Sequence, residues 1–261
     1  MVESGMSTSS ARIVCDQLTA LADAADALHL QRYFKTGPGE YGEGDVFIGV
    51  RVPKIRAVIK QHPDLALDEI RVLLESEVHE HRAAGLLVLV AQFDGVSRAR
   101  CFDQGRRQEI ADFYHRCVTD GRVNNWDLVD CSAGRIPGGW YFDRERTPVF
   151  DLCDSGDLWC RRVALPTTYG FIIRGDASTT LELAASVLDD RRDLTQKATG
   201  WMLREVGRRV DRGLLTGFLT SNAARMGRTA LSYACEHLTP EERARFRAAG
   251  SVPPSQNSIL R

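Results

Sequence analysis

Apolar residues recur at helical spacing along almost the whole of this chain, and the period-two alternation of half-buried strands is scarce. Each segment with that rhythm ends at Gly, Asp or Ser, so the apolar stripes are best buried by stacking helix on helix. Residues 11–36 read as two helices: Ile13, Leu18, Leu21 and Ala25 recur first, and Leu28, Leu30, Tyr33 and Phe34 follow after a short break. Residues 37–44 hold four glycines and are expected to be a loop. Pro53 falls where a first helical turn tolerates its missing N–H. Helices are expected at 54–62, 66–76, 79–93 and 98–118, then again from 126 until Gly134, Pro137, Gly138 and Gly139 form a turn. Further segments are expected at 144–155, 157–173, 177–188, 193–210, 212–220, 227–237 and 240–248.

The expected fold is therefore all-α. Helix pairs recur roughly every 35 to 45 residues, the spacing of HEAT-like helical repeats, which stack into a curved α-solenoid with one concave face suited to a long partner. A single domain over 11–250 is expected, flanked by a disordered N-terminus at 1–10 and a flexible tail at 251–261.

Composition narrows the partner. Net charge is −1 and the sequence pI is about 6.6, so a polyanion must be met by a local patch. Lys35, Lys54, Lys60 and Lys197 are the only lysines among 34 basic residues. Arginine's planar fork suits phosphate, although a GC-rich genome produces the same bias. Seven cysteines without a C-x-x-C pair indicate neither a disulfide framework nor a zinc site. Met1 to Ser10 lacks an apolar signal core, and no stretch of about 20 apolar residues is present to span a membrane. A soluble protein of a reducing compartment is expected, with no P-loop or dinucleotide fingerprint.

The most informative stretch is Val123-Asn124-Asn125-Trp126-Asp127-Leu128-Val129-Asp130. With Asn124 or Asn125 as a cap, Trp126 and Asp130 fall one turn apart on one helical face. Asp127 lies at the edge of that face, and Leu128 and Val129 point away, able to anchor the helix in a core. A carboxylate beside an aromatic face suits positive charge developing on a sugar or held on a planar base. At about 4 Å and an effective dielectric near 20 such a charge gains roughly 4 kcal/mol, about a thousandfold in rate. An exposed capping-turn aspartate beside a half-buried tryptophan is the plainer reading.

Residues 191–212 carry seven basic residues against three acidic ones. Lys197, Trp201, Arg204 and Arg208 fall within an arc of about 60°, while Met202, Leu203, Val206 and Val210 occupy the opposite side. Two readings are open. Trp201 packs under a neighbouring helix beside a solvated basic face, or it is an aromatic wedge among phosphate-binding cations. Arg162 shares a face with Leu158, Leu165 and Tyr169, and spacing leaves its direction open.

Taken together, Trp126-Asp127-Leu128-Val129-Asp130, Gly200-Trp201-Met202-Leu203-Arg204-Glu205, Arg162-Val163-Ala164, Phe47-Ile48-Gly49-Val50-Arg51-Val52-Pro53 and Arg228-Thr229-Ala230-Leu231-Ser232-Tyr233-Ala234 resemble the AlkD-like DNA glycosylases built from HEAT-like repeats. The resemblance spans about residues 30–240, in the family's order. It implies a monofunctional enzyme that hydrolyses the N-glycosidic bond of cationic N3- or N7-alkylated purines in double-stranded DNA, bulky adducts included, without flipping the base. It implies Asp130 as catalytic carboxylate, Trp126 and Trp201 against the deoxyribose and backbone, and Arg162 and Arg204 on the DNA backbone. Lys197 and Arg208 join them from the helical arc. The chemistry asks for no metal or organic cofactor, because a cationic purine already leaves readily and one carboxylate stabilises the oxocarbenium-like sugar. A monomer in the cytoplasm, associated with the nucleoid, is expected. Asn125 departs from the aromatic that many relatives carry before the tryptophan, and residues 37–44 and 138–141 are further places where DNA grip could differ. Two other classes compete: a non-catalytic HEAT-like binder of distorted or branched DNA, and a protein–protein scaffold.

Overall fold

The structure, a computed structural model, describes residues 9–249, and these are helical with no strand; one isolated bridge joins Val46 and Val78. The disorder expected at 1–10 and 251–261 lies outside the described residues, save for Ser9 and Ser10. Ser10 opens the first helix, and the Ala11 N–H donates to Glu69 Oε2 at 2.6 Å.

Among the described residues the helices group into two compact units, divided after Ile136. In the first, α1 (Ser10–Thr19), α2 (Ala24–Tyr33), α3 (Val52–Ile59), α4 (Leu67–Leu74), α5 (His79–Val96), α6 (Gln104–Thr119) and α7 (Trp126–Ser132) follow in order. The core is centred on α5, on which α3, α4, α6 and α7 all pack. Its segment from Ala83 to Leu89 is buried on every side, as expected of a helix surrounded by others.

The break between the first two helices falls at residues 20–23, earlier than the spacing predicts, because Asp23 caps α2 by accepting from the N–H groups of Ala25 and Asp26. Ala25 thus belongs to the second helix, and Ile13 and Leu21 are exposed. No residue of α2 is buried. Its tie to α3 is the ion pair of Asp26 with Arg51, the residue before α3. Pro53 sits in the first turn of α3, as its missing donor requires.

The second unit runs through α8 (Ile136–Trp140), α9 (Thr147–Asp154), α10 (Leu158–Thr167), α11 (Tyr169–Ile172), α12 (Ser178–Ser186), α13 (Asp193–Arg209), α14 (Arg212–Asn222), α15 (Arg228–Ala234) and α16 (Pro240–Ala249). Where a glycine-rich turn is expected, 136–140 forms the short helix α8. Gly138 is needed there for close approach: a Cβ on it would lie 2.5 Å from the Thr167 carbonyl. The segment expected at 157–173 is divided at Thr168 into α10 and α11, two residues after Pro166. The centre of this unit is α13, against which α10, α14 and α15 pack.

Gly200 and Ala230 account for two of the sequence motifs at once. A Cβ on Gly200 would lie 2.4 Å from the Ala230 carbonyl and 2.6 Å from the Tyr233 Cβ, so α15 seats directly on the backbone of α13.

Candidate active site

Helix α7 is set in place by its first residues. Asn125 is fully buried and extended, and its Oδ1 accepts from the Trp126 N–H at 2.8 Å, which makes it the cap. Its Nδ2 donates to Asp45 Oδ2 at 2.8 Å. Leu128 and Val129 are fully buried, and Ser132 bonds the buried Tyr114 hydroxyl at 2.9 Å. Trp126 and Asp130, one turn apart, are left half-buried on the other side.

The aromatic surface beside Trp126 comes from α2 and the chain that follows it. Phe34 stacks on the indole with centroids 5.1 Å and planes 11° apart, and Tyr33 meets it edge-on at 5.9 Å. Phe34 stacks in turn on Phe47 at 4.9 Å. The glycine-rich loop helps hold Phe34. Lys35 turns the chain with φ of 51°, Gly42 donates to its carbonyl, and a Cβ on Gly42 would lie 2.5 Å from the Phe34 carbonyl.

Beneath these rings lies a charged network that periodicity does not reveal. His79 Nε2 lies 2.8 Å from Asp127 Oδ2 and its Nδ1 lies 3.1 Å from Asp45 Oδ2. Arg82 Nη2 donates to Asp45 Oδ1 at 2.5 Å. Burial alone would lower the proton affinity of His79, but its bonds to Asp127 and Asp45 outweigh it and raise the pKa to about 8. Burial would likewise raise the Asp45 carboxyl; bonds from His79 and Asn125, and the charge of Arg82, hold it below the usual carboxylate range.

Glu80, also buried, accepts from the N–H groups of Ile48, Gly49 and Val50, with Gly49 at 2.8 Å. That bond set shapes the Phe47–Val50 stretch. Gly49 has φ of 82° and passes so close to α2 that a Cβ would lie 2.0 Å from the Asp23 carbonyl. A cleft of about 320 Å³ opens over these groups, lined by Tyr33, Phe34, Phe47, Val52, His79 and Asp127 among others.

In the second unit the arc of α13 is present. Met202, Leu203 and Val206 are fully buried, Trp201 is half-buried with its ring 6.1 Å from Tyr169, and Arg209 lies 5.3 Å over the same Tyr169 ring. The cations of the arc are engaged to different degrees. Lys197 pairs with Asp193 at 2.7 Å, and Arg204 pairs with Glu236 and with the buried Glu205. Arg208 is exposed.

Arg162, whose direction spacing leaves open and which the resemblance implies for the DNA backbone, lies inside the second unit. Its side chain is 4% exposed and its Nη1 donates to the Leu194 carbonyl at 2.7 Å, so it faces inward, joining α10 to the start of α13. That carbonyl takes one of the buried guanidinium donors and offsets part of the cost of removing the charge from water.

Sequence reasoning missed His79, Asp45 and the hub role of Asn125. One signal was present: His79, Glu80, His81 and Arg82 are four consecutive polar residues opening an apolar helix, and all four are buried. Polar residues so placed are held by partners.

A family model described as DNA alkylation repair enzyme matches residues 14–238. Among solved structures the chain is similar to a predicted DNA alkylation repair enzyme from Enterococcus faecalis, with a TM-score of 0.64 and 16% identity, over 84% of this chain and 97% of that one. That likeness shows a shared all-helical fold. No curated protein matches the chain significantly.

Proposed function

Because the chain belongs to the DNA alkylation repair enzyme family, we propose that it is a monofunctional glycosylase that hydrolyses the N-glycosidic bond of cationic N3- or N7-alkylated purines in double-stranded DNA. The observation that carries this reading is the presentation of Trp126 and Asp130. They stand one turn apart on a helix whose opposite side, Leu128 and Val129, is fully buried.

Alkylation at N7 or N3 leaves the purine positively charged, so departure needs no strong acid. The remaining demand is electrostatic. As the glycosidic bond breaks, positive charge passes to the deoxyribose, and the Asp130 carboxylate stabilises it and orients the attacking water. The indole face of Trp126 adds up to about 2 kcal/mol where water is excluded. Trp201 and the cations Arg204, Arg208 and Lys197 on α13 serve the sugar-phosphate backbone. In this reading the lesion is read by its sugar and charge through HEAT-like helices, with the base left unflipped and bulky adducts tolerated. The enzyme acts as a monomer on chromosomal DNA in the cytoplasm.

The experiment is time-resolved release of purine bases from duplexes carrying defined N7-alkylguanine or N3-alkyladenine lesions, comparing wild type with Asp130→Asn at matched occupancy. Aspartate-dependent release is expected. Salt-dependent binding without release by the wild type would replace this reading with a non-catalytic binder of distorted DNA.

A further inference from the structure

An ionised carboxylate can only accept hydrogen bonds, and His79 stands between two of them. Asp45 already takes Arg82 on one oxygen and Asn125 on the other, and Asp127 Oδ1 takes the Leu128 N–H. With acceptors on both sides, both ring nitrogens of His79 must donate. We propose that His79, donating from both nitrogens as an imidazolium, is a positioning residue of the excision site: it clamps Asp127 to Asp45 and so sets the rotation of α7 that presents Trp126 and Asp130. The role in excision rests on the glycosylase reading, whereas the clamp itself does not.

Two routes connect His79 to the presented pair. The first is polar. Asp45 holds the start of α7 at Asn125 directly and at Asp127 through His79, so one buried carboxylate governs two of the first residues of the helix. The second runs through rings: His79 stacks on Phe47 at 4.5 Å and lies 5.0 Å from Phe34, which stacks on Trp126. Moving His79 therefore disturbs both the carboxylate end and the indole.

The charge of His79 has a further effect. Asp127 and Asp130 are three residues apart on one helix and so neighbours on its surface. An imidazolium at His79 places one positive charge beside these two carboxylates, 2.8 Å from Asp127. The groups facing His79 are Asp45 from the loop between α2 and α3, Arg82 from the next turn of α5 and Asp127 from α7, while Glu80 is committed to the Ile48–Val50 backbone. This balance holds while His79 is protonated and ends as pH rises through its pKa near 8.

The test uses the full chain labelled with 5-fluorotryptophan, the Trp126 signal being assigned with Trp126→Phe, and single-turnover release from a duplex carrying N7-methylguanine between about pH 6 and pH 9.5. The Trp126 signal is expected to shift with a midpoint near 8, and the release rate to fall through the same midpoint. His79→Gln donates to Asp127 without titrating. It should lose both pH responses and release base about tenfold or more slowly, with duplex affinity within about twofold of wild type.

If His79→Gln does not fold, Asp127→Asn carries the test, since removing that partner should draw the midpoint down toward 6.5. A wild-type signal flat across the range, or a His79→Gln protein with wild-type rate and pH response, overturns the proposal. A wild type that releases no base, but whose Trp126 signal titrates and stops doing so in His79→Gln, defeats the glycosylase reading and upholds the clamp.

Discussion

Asn125 and Asp45, 80 residues apart in sequence, are joined by a hydrogen bond of 2.8 Å from the amide to the carboxylate, while the other end of the same amide caps α7. One side chain thus ties the helix that carries Trp126 and Asp130 to the loop between α2 and α3. Asn125→Ala removes a cap worth about 1 kcal/mol and a donor to a buried carboxylate worth about 1–3 kcal/mol. A loss of about 2–4 kcal/mol is expected. Urea unfolding with an unchanged slope and a lower midpoint would show it, and a change under about 0.5 kcal/mol would dismiss the hub.

His79 predicts a direction for the dependence of stability on pH. Its pKa is raised on folding from 6.5 to about 8, so its contribution is complete below pH 6.5 and disappears as pH rises through 8. The full effect is on the order of 2 kcal/mol. Denaturation at pH 6 and pH 9 should show wild type losing stability across that window and His79→Gln changing less. Equal pH profiles for the two proteins would remove His79 as the cause.

Gly200→Ala tests the seat of α15 on α13. A methyl on that helix would ordinarily stabilise it by up to about 1 kcal/mol. Here the added carbon meets the Ala230 carbonyl at 2.4 Å, and the overpacking costs about 1–3 kcal/mol, enough to reverse the sign. A variant that melts above wild type would mean that the two helices separate without penalty.

Asp130→Asn and Trp201→Ala separate chemistry from grip. The first is expected to reduce base release by about a thousandfold with DNA affinity nearly intact. The second should weaken both release and affinity while the fold survives, because Trp201 is only half-buried against Tyr169. Far-ultraviolet circular dichroism is the control, and an unfolded Trp201→Ala would assign the indole to the core.

Arg208 and Arg162 are expected to behave oppositely. Exposed Arg208, changed to Ala, should lower duplex affinity and reduce the log-log salt slope by about 0.9. Buried Arg162, changed to Ala, should lower stability by removing the bond to the Leu194 carbonyl, with the salt slope unaltered once binding is measured on folded protein. A flattened slope for Arg162→Ala would return that residue to the phosphate-binding set.

Periodicity alone determined the all-helical class, because the 3.6-residue rhythm of apolar side chains is a local property written into each segment. It also determined which sides of α7 and α13 are buried: Leu128 and Val129, and Met202, Leu203 and Val206, are fully inside, as their spacing requires. The tertiary structure decided matters that depend on residues distant in sequence. Spacing left the direction of Arg162 open, and the Leu194 carbonyl, 32 residues on, turned it inward. The glycines of 37–44 announced a loop, but only packing showed Gly42 against the Phe34 carbonyl beside Trp126. His79 meets partners 34 and 48 residues away, and a hydrogen bond over such separations has no period for a sequence to display. Its existence depends on how three elements pack, which is why the helix that presents Trp126 and Asp130 was legible from the chain and the clamp that orients it was not.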